Sequence, residues 1–242
     1  MKALMNQTDD QRLWVMQQTW SKLLFAHWPI PATVLRPLIP AALNIDTFEG
    51  RAWIGVVPFL MSGVRFRGLP PIPTTQQFCE LNVRTYVYPT GGKAGVWFFS
   101  LDAASWLAVR GARTAFHLPY YDAAMHLQTE GQKVGYRSSR THRGATPAEF
   151  DAQYQPTGSV YQSQPGSLDH WLTERYCLYA VGQQGRIYRG DIVHDPWPLQ
   201  PARAEVFANS MTQAVGIALP DEAPLLHYAE KINVKAYYLK AV

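Results

Sequence analysis

Apolar positions in this chain come in short runs, mostly of strand length, broken by Gly- and Pro-rich segments. The clearest run is F-C-E-L-N-V-R-T-Y-V-Y at residues 78–88. In a strand alternate side chains share a face, so Glu80, Asn82, Arg84, Tyr86 and Tyr88 point one way and Leu81, Val83, Thr85 and Val87 the other. A Gly91-Gly92 turn leads to a second apolar run at 95–101, and a helix is predicted after Asp102, whose side chain can accept from the free amides of a first turn. Trp106, Val109, Arg110 and Arg113 then share one side of that helix.

The flanking segments read in the same style. Residues 31–38 predict a short helix with proline in its first turn, closed off by Pro40. Residues 43–48 and 52–61 predict a hairpin around Glu49-Gly50, and 68–73 (G-L-P-P-I-P) a stiff loop. Weak alternation marks 133–140 and 150–154, with a polar loop at 156–166 and a short helix opened by Ser167 that runs through Leu172. T-E-R-Y-C-L-Y-A-V and R-I-Y-R-G-D-I-V-H flank G-Q-Q-G as another hairpin. Residues 197–207 and 225–239 complete the strands, with a small helix near 209–215. Short strands, few helices and 18 prolines indicate an all-β or β-rich α+β architecture. No repeat or linker divides it, so one domain over 1–242 is expected.

Composition narrows the function classes. A chain of 242 residues that is 47% hydrophobic can bury a sizeable core. The net charge of +4 is spread along the chain without a basic run, which argues against nucleic-acid binding. Apolar stretches are too short to span a membrane, and M-K-A-L-M-N-Q-T-D-D turns acidic before any hydrophobic region develops, so neither a membrane span nor a secretion signal is expected. The two cysteines, Cys79 and Cys177, read as buried free thiols in a reducing cytoplasm. Cys177 has Arg175 two residues away, which is weak support for a reactive thiolate.

The seven histidines form neither a His-Glu-x-x-His nor a His-x-His pattern, and no metal site is expected. His194-Asp195 comes nearest, and Pro196-Trp197-Pro198 after it reads as a structural turn. A phosphate loop, a dinucleotide fingerprint and a Gly-x-Ser-x-Gly elbow are all missing from the sequence, so no cofactor is expected.

Candidate chemistry therefore rests on the polar face of 78–88. Glu80 and Arg84 can line a cavity and hold an anionic or carbonyl ligand, or form a surface ion pair on a solvated outer face. In T-E-R-Y-C-L-Y, alternation puts Glu174, Tyr176 and Leu178 opposite Thr173, Arg175, Cys177 and Tyr179. Whichever face is inside, a buried Glu174 or Arg175 needs a partner, and Arg84 or Glu80 would suit. A purely structural buried ion pair explains these residues equally well.

The same segments carry a resemblance. A glutamate on a strand, a glycine turn, a strand ending Leu-Asp, a helix and then Pro119-Tyr120-Tyr121 resemble the acetoacetate decarboxylase superfamily, whose helix leads into Gly-Tyr-Pro-Lys-Lys. I-P-A-T-V-L-R-P-L-I-P-A-A-L-N-I-D, residues 30–46, resembles a second segment of that superfamily. H-W-P-I-P, W-I-G-V-V-P-F, E-L-N-V-R-T-Y-V, W-F-F-S-L-D-A, L-T-E-R-Y-C-L-Y and P-W-P-L-Q-P-A are similar, over nearly the whole length, to an uncharacterised bacterial YqjF-like family in that superfamily.

The resemblance implies an antiparallel β-barrel with a few short helices and gives Glu80 the place of the decarboxylase's active-site glutamate. It also sets Tyr120 and Tyr121 where that enzyme has its imine-forming lysine and the neighbour that lowers its pKa. Tyrosine has no amine, so Schiff-base decarboxylation is excluded at this position. Nothing around Lys22 or Lys93 singles either out as a substitute. The decarboxylase's substrate-contacting arginine has no clear counterpart, and Arg84 is our own candidate for that role.

The expected ligand is thus a small organic acid or carbonyl compound in an interior pocket. Glu80 would be general acid or base, and Tyr120 or Tyr121 a proton donor or oxyanion stabiliser in lyase or isomerase chemistry. Arg84 would anchor a carboxylate, with Asn82, Glu174 and Arg175 as further substrate contacts. Rival readings are a non-catalytic small-molecule-binding protein and a scaffold whose polar cluster satisfies itself. Substrate identity and homo-oligomer formation are left open by the residues.

Overall fold

Residue 22 explains why strand formation begins well before the alternating runs are obvious. In the computed structural model, which describes residues 13–72 and 76–242, the first element is a 15-residue strand, β1 (Met16–Ile30). Lys22 takes φ 53° inside it, and the pairing register shifts between Ser21 and Ala26. A bulge of this kind swaps the faces, so no single period of two runs through the segment. The N-terminal reading at residues 1–10 and Pro73 of the stiff loop lie outside the described residues.

After β1 come α1 (Ala32–Leu35), which continues as a 3-10 turn (Arg36–Leu38), β2 (Leu43–Ile45), β3 (Ala52–Phe66), β4 (Gln77–Pro89) and β5 (Gly95–Ala103). Then follow α2 (Trp106–Phe116), β6 (Tyr120–Glu130), β7 (Lys133–Arg140), β8 (Glu149–Pro156) and α3 (Leu168–Thr173). The chain closes with β9 (Cys177–Val181), β10 (Ile187–Val193), β11 (Leu199–Asn209), β12 (Leu225–Ala236) and β13 (Lys240–Ala241), with a 3-10 turn at Gln213–Val215.

Three local readings need correction. Glu49 (φ 49°) and Gly50 (φ 78°) do make a tight left-handed turn bridging Phe48 and Arg51, but β2 pairs with β4, Leu43 opposite Pro89, rather than with β3. The cap of α2 is Ser105, which accepts from the Ala108 amide, because Asp102 is still inside β5 and its carboxylate is held by Arg140. Residues 173–176 do not alternate as a strand, since α3 reaches Thr173 and β9 begins only at Cys177. The strand β6 was also missed. Half of its positions face solvent and it has little apolar patterning.

The sheet closes on itself twice. Pairings β5-β6-β7-β8-β11-β12-β1-β3-β4, completed by β4 with β5, make a nine-strand barrel. A shorter circuit, β4-β5-β9-β10-β12-β1-β3, makes a ring of seven. Neighbours are antiparallel except at the two seams of β5, with β6 and with β9. Both circuits share β12, β1, β3, β4 and β5; β4 is buried on both faces from Phe78 to Val87, while Glu230, Lys231, Asn233 and Lys235 of β12 stay exposed. Leu24, Ala26, Val56, Leu81 and Val83 meet Tyr136, Phe150 and Tyr154 of β7 and β8 inside the nine-strand barrel. On the other face Leu23, Phe25, Val57, Phe59 and Leu101 meet Val109 of α2, Ala180 of β9 and Trp197.

Candidate functional site

Burial on both faces decides how β4 works. Leu81 and Val83 fill the nine-strand barrel, and Glu80, Asn82 and Arg84 turn into the seven-strand ring, each less than 10% exposed. A solvated outer face does not exist here.

Tyr120 reaches Glu80 because β5 carries both neighbours: Ala103 is opposite Glu80, and Leu101 is opposite Tyr120. His117, at φ 52°, ends α2 in the left-handed conformation, and the Pro119 carbonyl accepts from Leu101. Arg113 of α2 then binds the Tyr120 carbonyl at 2.6 Å. So held, the Tyr120 phenol donates to Glu80 Oε2 at 3.0 Å. From the opposite face Tyr136 donates to the Glu80 main-chain carbonyl at 2.7 Å. Burial pushes the Glu80 carboxyl up to about 8, with a smaller push from Asp102, against the pull of the Tyr120 hydrogen bond. Burial and Glu80 together raise the Tyr120 phenol well above its ordinary value. At neutral pH the pair is a protonated acid beside a protonated phenol.

Tyr121 goes the other way. Its ring packs under the Arg140 guanidinium at 4.2 Å and against the edge of His142. Arg140 in turn holds Asp102 through two bonds of 2.7 and 2.8 Å, a bidentate pair sealed in the nine-strand barrel.

Arg84 forms no ion pair with Glu80, nor with any other carboxylate among the described residues. Four residues along a strand separate the two backbones by about 13 Å. The guanidinium leans away from Glu80, donating to the Leu172 carbonyl at 3.3 Å and weakly to the Tyr86 hydroxyl, with the Phe25 ring 5.2 Å from it. Its Nε has no partner.

Tyr86 donates to the Leu172 carbonyl at 2.8 Å, so the 2.7 Å contact between its oxygen and His27 Nε2 must use a proton on His27. Burial and Arg84 keep His27 neutral. This fixes the tautomer and makes His27 Nδ1, itself without a partner, an acceptor. Asn82 Oδ1 is likewise unpartnered.

Arg175 is paired with Asp46 at 2.6 Å and with the Trp171 carbonyl, and it stacks on Tyr86 and Trp171. Glu174 accepts from the Tyr176 hydroxyl and from the Trp197 amide. Neither meets Glu80 or Arg84, contrary to the partnership expected for them. Sequence reasoning passed over His27 and Phe25. His27 stands in H-W-P-I-P, a stretch noticed for its wording and not for its imidazole.

Residues 17–233 match the model of DUF2071, described as an uncharacterized conserved protein. The chain belongs to this family. It is 47% identical over 228 residues, 94% of this chain and 93% of the relative, to the uncharacterized protein YqjF of Bacillus subtilis (strain 168). Among solved structures, the enduracididine biosynthesis enzyme MppR in complex with pyruvate matches with a TM-score of 0.62 at 10% identity, covering 97% of this chain and 93% of that one. An acetoacetate decarboxylase-like enzyme from Sphingomonas wittichii RW1 matches with a TM-score of 0.61 at 13% identity, covering 94% and 93%. At such identities the likeness establishes the acetoacetate decarboxylase-like fold and nothing of the chemistry.

Other groups in this DUF2071 chain are accounted for by structure. Both cysteines are buried and free, burial lifting Cys79 to about 11 and raising Cys177, which disfavours a thiolate at either. His194 stacks on Tyr176 and donates to the Asp195 carbonyl beside Trp197, as a structural turn would. No cluster of metal-ligating side chains occurs among the described residues. No helix among them is long and apolar enough to cross a membrane.

Two open cavities lie away from the acid–phenol pair. One of about 530 Å³ runs along Gln155, Thr157, Gln200 and Arg203. The other, about 450 Å³, is lined by Phe78, Cys79, Trp106, Met125 and Leu127 beside the start of β4.

Proposed function

We propose that this protein binds a small organic acid or carbonyl compound inside the seven-strand ring and moves a proton on it. Glu80 is the general acid or base and Tyr120 the proton donor or oxyanion stabiliser, with Asn82 the next polar group along the strand; Arg84, whose backbone is about 13 Å from that of Glu80, anchors the carboxylate only of a ligand long enough to span the two. The observation that carries this reading is the Glu80–Tyr120 pair. A carboxyl raised to about 8 and hydrogen-bonded to a phenol can give or take a proton near neutral pH, which acid–base catalysis needs. The ligand class is supported by MppR, a protein of the same fold that holds pyruvate. Without an amine at Tyr120, enolisation, isomerisation or elimination is favoured over imine chemistry. Tyr121, Glu174 and Arg175 have structural partners of their own and take no part in the proposed step.

The test is hydrogen–deuterium exchange at C3 of pyruvate and 2-oxobutyrate, the carbon next to the ketone, in D₂O, followed by proton NMR. Wild-type protein should accelerate exchange over buffer, and Glu80→Gln should lose about 10²–10⁴ of that acceleration. Exchange no faster than buffer, or equal in Glu80→Gln, overturns the catalytic reading. One observation favours the scaffold whose polar cluster satisfies itself: Glu80 is only 3% exposed and lines neither cavity. The absence of both exchange and binding with every acid would select that reading, and binding without exchange would select a non-catalytic binding protein.

A further inference from the structure

The polar face of β4 offers three groups in a row that the fold itself leaves unequally served. Glu80, protonated at neutral pH, is a donor; Asn82 presents an orphaned acceptor; Arg84 presents an orphaned donor. Beside them His27 Nδ1 is a second orphaned acceptor, and its state follows from the Tyr86 proton going to the Leu172 carbonyl. His27 is fully buried and Arg84 is 8% exposed. Both crowd against Gly55, where a Cβ would stand 2.9 Å from His27 Cδ2 and 3.5 Å from Arg84 Cγ, and both pack near the Phe25 ring.

A buried polar atom without a partner is costly, and an uncompensated buried cation more so. A simple carboxylate satisfies Arg84 only. It carries lone pairs and no proton, so it leaves Asn82 Oδ1 and His27 Nδ1 unserved. What satisfies both kinds of orphan is a ligand with an anionic end and an O–H close to it.

We infer that the ligand held among these buried groups is a hydroxycarboxylate, with its carboxylate on Arg84 Nε and its hydroxyl donating to Asn82 Oδ1 or His27 Nδ1. The inference rests on the reading that the interior takes a small organic acid, and it narrows that class. A site built to hydrogen-bond a hydroxyl rejects the analogue that lacks it, because the acceptor is then buried unpaired.

The experiment is calorimetric titration at pH 7 with two matched series: lactate and 2-hydroxybutyrate against propionate and butyrate, with lactamide as the uncharged control. Wild-type protein should bind the hydroxy acids at least tenfold more tightly than the deoxy acids and lactamide least. Arg84→Met should abolish binding of both series. His27→Gln keeps a donor near the Nε2 position and removes the Nδ1 acceptor, and Asn82→Leu removes the amide. One of these two should bring the series to equal affinity while the deoxy acids bind as before.

Equal affinities in wild-type protein would overturn the hydroxycarboxylate inference and leave the organic-acid reading standing. No binding by any acid would overturn both. A hydroxyl preference that survives in both His27→Gln and Asn82→Leu would overturn the assignment to these acceptors. The wild-type comparison needs no variant to fold, and circular dichroism checks the variants.

Discussion

Tyr120 and Glu80 are joined by a 3.0 Å hydrogen bond that crosses from β6 to β4 over the intervening strand β5. The phenol occupies the position that the resemblance gives to an imine-forming lysine, and it faces a carboxyl whose burial keeps it protonated at neutral pH. By that resemblance a phenol stands where the enzyme has an amine, and a phenol cannot form an imine.

Borohydride reduction in the presence of acetoacetate or pyruvate should leave the mass of the protein unchanged. An imine forms only on a primary amine, and Tyr120 and Tyr121 have none. A stable adduct on any lysine, found by peptide mass spectrometry, would show that the chain uses a different nucleophile.

The elevated Glu80 carboxyl should make stability fall as pH rises. Between the ordinary carboxylate value of 4.5 and about 8, the folded chain holds a proton that the unfolded chain has released. Stability linked to Glu80 is therefore fully present below 4.5, declines by roughly 1 kcal/mol per pH unit, and is exhausted above about 8. Glu80→Gln, a mimic of the neutral acid, should lack this slope and exceed wild type by several kcal/mol at pH 8–9. Urea denaturation at a series of pH values checks it, and parallel curves for the two proteins would contradict it.

Glu80 and Arg84 should behave independently in a double-mutant cycle. They do not touch, so Glu80→Gln and Arg84→Met should add to within about 0.5 kcal/mol. A coupling of several kcal/mol would mean that the two form an ion pair in solution.

The opposite holds for Asp102 and Arg140, whose bidentate pair is sealed from water. Asp102→Asn should destabilise by about 3–5 kcal/mol, because it strands a buried guanidinium, and Asp102→Leu with Arg140→Met should recover much of that loss. Thermal denaturation at pH 7 distinguishes the two pairs directly.

Gly55→Ala should disturb the surroundings of His27 without touching Glu80. The added methyl would come within 3.0 Å of the His27 ring, so the imidazole must shift. Overpacking of this kind typically costs about 1–3 kcal/mol. The measurable result is a lower melting temperature together with a changed His27 proton resonance. An unchanged imidazole signal would show that the ring has room to move.

Much of the fold was legible in the chain. The runs at 78–88 and 95–101, the helix after Asp102, the hairpin around G-Q-Q-G and the short helix from Ser167 all appear close to where the pattern put them. These segments share a cause: each is specified by local periodicity or turn chemistry, which operate over a few residues. β1 and β6 were not legible, because the bulge at Lys22 breaks one alternation and solvent exposure weakens the other.

For the site, the sequence by itself determined that Glu80, Asn82 and Arg84 share a face and that no amine stands at Tyr120. Both are properties of residue type and pleat. Only the tertiary structure decided what that face meets. Two closed circuits share β4, so the polar face that could have lined a cavity or met solvent is buried, as is the apolar one. The parallel seam of β5 with β6 then brings Tyr120 to Glu80 and sends Tyr121 to Arg140. Arg175 finds Asp46, Glu174 the Trp197 amide and Asp102 Arg140, partners 23 to 129 positions away in the sequence. Charge pairing depends on where the chain returns in space, and alternation along one strand carries no information about that.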